Sequence, residues 1–282
     1  MCRMSILAAT ALILAQAAAP AIAKERAKGE TPASAAAATA TATKQPELPP
    51  ARRATAEERA MAQRVDPLAR AAFWARELKI EPRDAEAGVN LAQAMRALGK
   101  YEEAAAAADR VLLAEPNNRD ALLELARDHI SRGQGFYAVA PAQRAAALAP
   151  RDWRPVTLLA VALEQASRDD EALAAHQKAL ALAPDEPSVI ANFAMYQAGH
   201  GQTSEAERLL RLAAGKPGAS AAVRQNLALV LGMQGRLAEA EKLARQDLPP
   251  EMVTNNLAYL RAVSGAGGAA APRSWDAMRA QP

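Results

Sequence analysis

Three histidines are the side chains in this sequence that are best suited to acid–base or metal chemistry. His129, His176 and His200 could act as proton carriers or as metal ligands. None of them has a second histidine, a cysteine or a carboxylate at a spacing typical of metal ligands, such as His-x-x-x-His. We therefore predict structural histidines, no metal site and no cofactor.

Adjacent carboxylates are the second candidate for chemistry, since two acids that share a proton can work as general acid and base. Glu102-Glu103 and Asp169-Asp170 are such pairs. Both lie where a helix is predicted to begin, and there a negative charge stabilises the positive end of the helix. The chain also lacks a Gly-x-Gly-x-x-Gly motif, a phosphate-binding loop and a Gly-x-Ser-x-Gly motif. The sequence predicts a protein that is not an enzyme.

The elements that position these side chains repeat along the chain. Four prolines, Pro82, Pro116, Pro150 and Pro184, recur every 34 residues. With residue 85 counted as position 1 of the first unit, alanine occupies positions 8 and 20 of five successive units: Ala92, Ala126, Ala160, Ala194 and Ala228, and Ala104, Ala138, Ala172, Ala206 and Ala240. Small residues at these positions allow two antiparallel helices to cross closely. Glycine between the helices suits the left-handed conformation that ends a helix; it occurs in four of the five turns, at Gly99, Gly133, Gly201 and Gly235.

This pattern resembles the tetratricopeptide (TPR) family over roughly residues 85–254. The resemblance implies a right-handed superhelix of helix pairs. We predict an all-α TPR superhelical solenoid of about five helix pairs with N-terminal and C-terminal capping helices. The predicted array has five repeats, 85–118, 119–152, 153–186, 187–220 and 221–254, preceded by an N-terminal cap or half-repeat at 56–84 and followed by a capping helix at 255–263.

Three local features modify the expected array. A basic helix over residues 56–80 is predicted at the N-terminal end, with Pro67 at the start of its packed part. Pro141 lies inside a predicted second helix, where we expect it to kink or delay that helix because it lacks a backbone donor. Repeat four ends in Lys216-Pro217-Gly218, one residue out of phase.

The amino terminus has the layout of a secretory signal peptide. Arg3 precedes an apolar stretch of 14 residues, and Ala21-Ile22-Ala23 fits a small-x-small cleavage site. We predict a signal peptide at 1–23, cleaved near Ala23, and an exported protein that is periplasmic or peripherally attached to the outer membrane. An uncleaved anchor is the alternative. No transmembrane span is expected in the mature chain, since no run of 18 apolar residues occurs.

Low-complexity segments flank the array on both sides. Residues 24–55 are rich in Ala, Thr and Pro, and residues 264–282 are rich in Gly, Ala and Pro. We predict a disordered spacer and a disordered tail, with a docking peptide around Trp275 as the alternative for the tail. Cys2, the single cysteine, precedes the apolar stretch, so the arrangement of a lipoprotein signal is missing.

Protein partners are the remaining ligands, to be bound on the inner face of the superhelix. The net charge is +3 and basic residues alternate with acids along the helices, which argues against nucleic acid. Amide and aliphatic side chains on first helices can contact a peptide backbone and its apolar side chains, or they merely solvate an exposed face. The predicted partner-binding residues are Asn90, Gln93, Arg96, Arg127, Thr157, Glu164, Asn192, Met195, Gln225, Asn226 and Leu229.

The carboxyl end carries a closer resemblance. Its stretches Asn226-Leu227-Ala228-Leu229-Val230, Gly235-Arg236, Asp247-Leu248-Pro249-Pro250-Glu251 and Asn256-Leu257-Ala258-Tyr259-Leu260-Arg261 resemble TadD-type proteins, TPR components of tight-adherence (Flp, type IVb) pilus assembly. The resemblance covers about the last two helices of the array and a capping helix. It implies an envelope protein that helps the pilus apparatus or its outer-membrane secretin assemble.

Three functional hypotheses follow from these features. The preferred one is an exported, non-enzymatic scaffold for pilus or secretin components. The second is a periplasmic TPR adaptor for another envelope process, such as recruitment of cell-wall enzymes or general secretion. An enzyme is the third. The sequence does not determine the oligomeric state.

Overall fold

The computed structural model describes residues 52–265 and, of residues 263–265, the backbone only. The predicted signal peptide, the spacer up to residue 51 and the tail beyond residue 265 lie outside the described residues. All regular secondary structure in the described part is helical. Its helices are α1 Ala56–Ala62, α2 Pro67–Ile80, α3 Ala85–Ala97, α4 Tyr101–Ala114, α5 Arg119–Ser131, α6 Gly135–Leu148, α7 Trp153–Gln165, α8 Asp169–Leu182, α9 Pro187–Gly199, α10 Thr203–Ala214, α11 Ala221–Met233, α12 Leu237–Ala244 and α13 Pro250–Gly265.

The helices α3 to α12 form five antiparallel pairs that follow the 34-residue period. The first helices of successive pairs begin 34 residues apart, and so do the second helices. Each helix packs on the next along the chain, and each first helix also packs on the first helix of the next pair. The first helices therefore form one continuous layer, and the predicted all-α solenoid is confirmed.

Alanines at the two predicted crossing positions are the centre of each pair. At positions 8 and 20 of the repeat, the ten alanines are all buried, with exposures between 0% and 5%. A methyl group is the largest side chain that fits between two helices packed this closely. The packing role predicted for these residues is confirmed.

Turns between paired helices use the left-handed backbone conformation. Gly99, Gly133, Gly201 and Gly235 have φ angles between +69° and +80°. The third pair has Ser167 at the same position, with φ of +58°. Serine carries a Cβ that clashes with the backbone in this region, so the third turn is strained where the others are not.

Pro141 does not delay helix α6, which was one of the two effects expected from the sequence. Helix α6 begins and ends at the same repeat positions as α4, and Pro141 lies buried in its middle. The expectation of a delayed helix is wrong, because packing of α6 between α5 and α7 compensates for the missing backbone donor. The out-of-phase ending of repeat four is taken up within that repeat: α10 is two residues shorter than α8, and α11 begins in register, as the predicted repeat boundaries require.

The N-terminal end contains two helices where one was predicted. The chain leaves the helical conformation after α1 because Asp66 caps a new helix, accepting hydrogen bonds from the backbone N–H groups of Leu68 and Ala69. Pro67 is the first residue of α2, as expected. Helix α2 begins 34 residues before α4, so α1 and α2 form a pair in register with the array, with a shortened first helix.

At the C-terminal end, α13 covers the last pair. It begins at Pro250, before the predicted start at residue 255, because proline is well suited to the first position of a helix. Val253, Leu257 and Leu260 are buried against α11 and α12. A Cβ on Gly232 would lie 2.4 Å from Leu260 Cδ1, so this glycine allows the close approach of α13.

Candidate protein-binding face

The first helices α3, α5, α7, α9 and α11 carry all of the predicted partner-binding residues. Seven of them are half-exposed: Asn90, Gln93, Arg96, Arg127, Asn192, Asn226 and Leu229. The other four, Thr157, Glu164, Met195 and Gln225, are buried, with exposures from 4% to 9%. Their role as binding residues stays a prediction, and the half-exposed seven offer a partner the larger contact area.

The predicted residues Arg96 and Arg127 meet at a carboxylate that the sequence analysis did not single out. Arg96 Nε on α3 donates a hydrogen bond of 2.8 Å to Glu124 Oε2 on α5. Arg127 Nη1 donates to the other oxygen, Glu124 Oε1. The Glu124 side chain is 1% exposed, whereas the two arginines are about one-third exposed. The two arginine side chains therefore cover the Glu124 carboxylate, and part of each guanidinium group is exposed to solvent.

A second buried acid lies one turn further along α5. Asp128 is fully buried, and neither of its carboxyl oxygens has a hydrogen-bond partner. Burial and the nearby charge of Glu124 raise the pKa of Asp128 to about 8, although Arg96 and Arg127 act in the opposite direction. Asp128 is therefore mostly protonated at pH 7, and the arginine–glutamate cluster carries a net positive charge.

Asn90 is engaged by the N-terminal pair. Gln63 Nε2, just after α1, donates a hydrogen bond of 2.6 Å to Asn90 Oδ1, and Asn90 Nδ2 donates to the carbonyl of Glu86. The residue that ends α1 therefore contacts the first helix α3. A partner that used Asn90 would also contact the end of α1.

Arg59 fixes α1 to the array through a buried ionic network. Its guanidinium donates to Glu77 on α2 at 2.9 Å, to Glu86 on α3 at 2.6 Å, and to Asp84. Asp84 also caps α3 through the N–H of Ala87. Burial alone would raise the pKa of Asp84, but the hydrogen bonds from Arg59, Ala87 and Arg53 lower it to about 2.

The buried members of the predicted set make contacts inside the protein. Thr157 Oγ1 donates to the carbonyl of Trp153 at 3.0 Å. Gln225 Nε2 donates to Asp247 Oδ2 at 3.3 Å. Glu164 Oε2 lies 3.6 Å from His176 Nε2, beyond hydrogen-bond distance. These side chains connect the two helices of a pair or stabilise one helix.

The three histidines lie in three different pairs. His129 Nδ1 is 3.1 Å from Gln134 Oε1, and His200 Nδ1 is 2.8 Å from the carbonyl of Tyr196. His176 is buried, with its ring 5.0 Å from that of Tyr196. Within residues 52–265, no group of three or more His, Cys, Asp or Glu side chains is arranged to hold a metal ion.

Comparisons with known proteins agree with this architecture. A family model of the tetratricopeptide repeat matches residues 157–190. A thermophilic TPR protein from Thermus thermophilus has 22% sequence identity and a TM-score of 0.57, with 62% of this chain and 98% of that chain covered. A TPR protein from Parabacteroides merdae has 15% identity and a TM-score of 0.60, with 72% and 78% covered. No curated protein matches the chain. The fold is that of a TPR solenoid.

A TPR solenoid implies protein partners, because its layer of first helices presents an extended surface. Among the helices of residues 52–265, none combines the length and the apolar character needed to cross a bilayer. The inner face also changes character along its length. Arginines and carboxylates occupy α1, α3 and α5, whereas amides and aliphatic side chains occupy α9 and α11.

Proposed function

We propose that this protein is an exported, non-enzymatic scaffold that holds protein partners on the inner face of its TPR solenoid. We propose further that it assists assembly of a Flp/tight-adherence pilus or its secretin. The observation that carries the scaffold role is the continuous layer of first helices with the half-exposed Arg96 and Arg127 over Glu124.

The arginine cluster supports recognition of an extended or helical segment of a partner. Each guanidinium donates a hydrogen bond to Glu124 from one of its nitrogen atoms, and its other N–H groups are available to a ligand. Half-exposed amides at Gln93, Asn192 and Asn226 add donors and acceptors for a peptide backbone. The aliphatic part near Leu229 offers apolar contact further along the same face.

The pilus assignment rests on the resemblance of the C-terminal stretches to TadD-type proteins. These residues stabilise the C-terminal end of the array: Pro250 begins α13, and Leu257 and Leu260 of α13 are buried against α11 and α12. The assignment to the envelope rests on the predicted signal peptide. The pilus role and the envelope location are both predictions, which photo-crosslinking can test.

Photo-crosslinking in the native envelope tests the proposal. A photoreactive amino acid replaces Gln93 or Asn226 on the inner face, and Gln143, exposed on the second helix α6, serves as the control. We expect crosslinks to pilus or secretin components from the inner-face positions and none from Gln143. Equal crosslinking from all three positions would contradict the inner-face site, and inner-face crosslinks to unrelated proteins alone would contradict the pilus role.

A further inference from the structure

The second pair departs from the other four at the start of its second helix. Carboxylates occupy the first turn of α4, α8, α10 and α12, where they stabilise the positive end of a helix whose capping residue makes no side-chain hydrogen bond. The first turn of α6 has no acid. Phe136 and Tyr137 stand at the equivalent positions.

Both aromatic side chains are directed to solvent. Phe136 is 75% exposed and Tyr137 is 62% exposed, and they are the two aromatic residues among the exposed large apolar side chains of the described part. Their rings contact each other edge to face at 5.5 Å. The Tyr137 ring is also 5.7 Å from that of His129. We call Phe136, Tyr137 and His129 the aromatic edge.

The backbone beneath the aromatic edge is held rigidly. A Cβ on Gly135 would lie 2.6 Å from the carbonyl oxygen of Ala162 and 2.4 Å from Gln165 Cβ, so α6 begins in direct contact with α7. Gln165 Nε2 also donates to the carbonyl of Ile130 at 3.1 Å. The backbone that carries the two rings is therefore fixed, which lowers the part of the entropic cost of binding that comes from ordering the main chain.

Acidic residues outnumber basic ones in the turns at and beside the aromatic edge. The turns between paired helices all lie along one edge of the solenoid, so the equivalent turns of the neighbouring pairs flank α6. Across the three turns, five carboxylates outnumber three basic groups, for a net charge of −2: Glu102, Glu103, Asp169, Asp170 and Glu171 against Lys100, Arg132 and Arg168. Two of the basic groups are already paired, Lys100 with Glu103 at 4.0 Å and Arg168 with Glu171 at 2.7 Å.

We propose that the aromatic edge is a second docking site, which binds a protein segment with a bulky apolar anchor between basic residues. Two adjacent exposed rings on a rigid helix start are typical of the residues that dominate binding energy at interfaces. The surrounding carboxylates favour lysine and arginine on both sides of the anchor. The same carboxylates repel the phosphates of nucleic acid and the surface of an anionic membrane. This site lies on the turn edge and is independent of the inner-face function proposed above.

The test uses a fluorescein-labelled peptide of twelve residues with a central leucine pair between lysines, in a binding assay by fluorescence anisotropy. Two control peptides replace the lysines by glutamates or the leucines by serines. The double variant F136E/Y137E restores the acidic first turn of the other pairs, so it keeps the fold. Leu113→Glu makes the same kind of change at an aliphatic residue that is 85% exposed on α4.

We expect the natural sequence and Leu113→Glu to bind the lysine–leucine peptide at least tenfold more tightly than either control peptide. F136E/Y137E should lose at least tenfold in affinity although it gains two negative charges. Equal affinity of F136E/Y137E for the peptide would overturn the proposal, because charge alone would then explain binding. So would the absence of binding by the natural sequence, or aromatic-dependent binding of anionic lipid vesicles in place of the peptide.

Discussion

The two ends of the solenoid share one repeat geometry but are stabilised by different forces. At the C-terminal end, one continuous apolar cluster runs from Ile190 on α9 to Leu260 on α13. At the N-terminal end, the corresponding cluster is small and centres on Trp74, and the buried Arg59 connects α1, α2 and α3 through carboxylates. The difference shows that the period fixes where helices lie, while the chemistry between them varies along the array.

Removal of the central charge of the N-terminal network should have the largest effect. Arg59→Met removes the one buried cation that Glu77 and Asp84 share and leaves them only the exposed Arg76 and Arg53 as ionic partners. We expect this loss to cost up to about 3–5 kcal/mol in the stability of the N-terminal pair. The fluorescence of the fully buried Trp74 during urea unfolding reports this loss in a background in which Trp153 and Trp275 are replaced by phenylalanine. Arg110→Met, at an exposed arginine on α4, is the matched control. If both variants unfolded at the same urea concentration, the Arg59 network would have no role in holding α1.

A larger side chain at a buried alanine where two helices cross should destabilise the central part of the array. Ala160 is fully buried where α7 crosses α8, so Ala160→Leu forces the helices apart at a cost of about 1–3 kcal/mol. Ala174→Leu places the same side chain on the exposed face of α8 and serves as the control. Thermal unfolding by circular dichroism gives the comparison. Equal melting temperatures for the two leucine variants would contradict the crossing assigned to Ala160.

Asp128 should make the central array less stable as the pH rises. A carboxylate in an ion pair has the opposite effect, because its contribution to stability is lost as the pH falls. The folded pKa of Asp128, about 8, lies above the value of about 3.9 of an unfolded chain. The contribution of the protonated Asp128 to the free energy of unfolding is therefore complete below pH 4, and it is lost as the pH rises to 8. Asp128→Asn should remove this dependence and gain more than about 1.4 kcal/mol at pH 8, the equivalent of one pKa unit.

Urea unfolding between pH 4 and pH 8 measures this effect. Asp109→Asn, at an exposed aspartate on α4, is the control and should follow the natural sequence. Parallel pH profiles for Asp128→Asn and the natural sequence would mean that Asp128 is not buried as described.

Removal of the backbone strain at Ser167, in the turn of the third pair, should change the stability of the protein least. Ser167→Gly removes the cost of a left-handed serine and should stabilise the protein by about 0.5–1 kcal/mol. The reciprocal change Gly133→Ser should destabilise it by a similar amount. Nothing lies within 4 Å of a Cβ built on Gly133, so the backbone conformation alone is tested. Chemical unfolding of both variants checks the prediction, which fails if the two changes shift stability in the same direction.

The sequence predicts those parts of the structure that recur in every unit. The crossing alanines and the turn glycines could be identified because they recur in register from unit to unit. The N-terminal pair was not recognised as such, because Glu58 and Arg70 stand where the other units have alanine. Its helices are stabilised by ion pairs that carry no periodic pattern.

Residues that are important in one repeat only could not be predicted from the repeat pattern. Glu124 and Asp128 look like ordinary charged residues of an amphipathic helix, and both are buried in the folded protein. Glu124 is covered by Arg96, which comes from another helix. Glu124 occupies position 6 of its repeat, as the predicted binding residues Asn90, Asn192 and Asn226 do, and this was the signal available in the sequence. Pro141 was misjudged because local propensity gives no measure of the packing that surrounds a helix.

Native-state hydrogen exchange, measured by mass spectrometry at low denaturant concentrations, tests most directly whether the two ends are stabilised separately. The account predicts that amides of α1 and α2 exchange through an opening of lower free energy than amides of α9 to α13, and that Arg59→Met lowers only the former. A single opening free energy for all helices, or an equal effect of Arg59→Met at both ends, would contradict it.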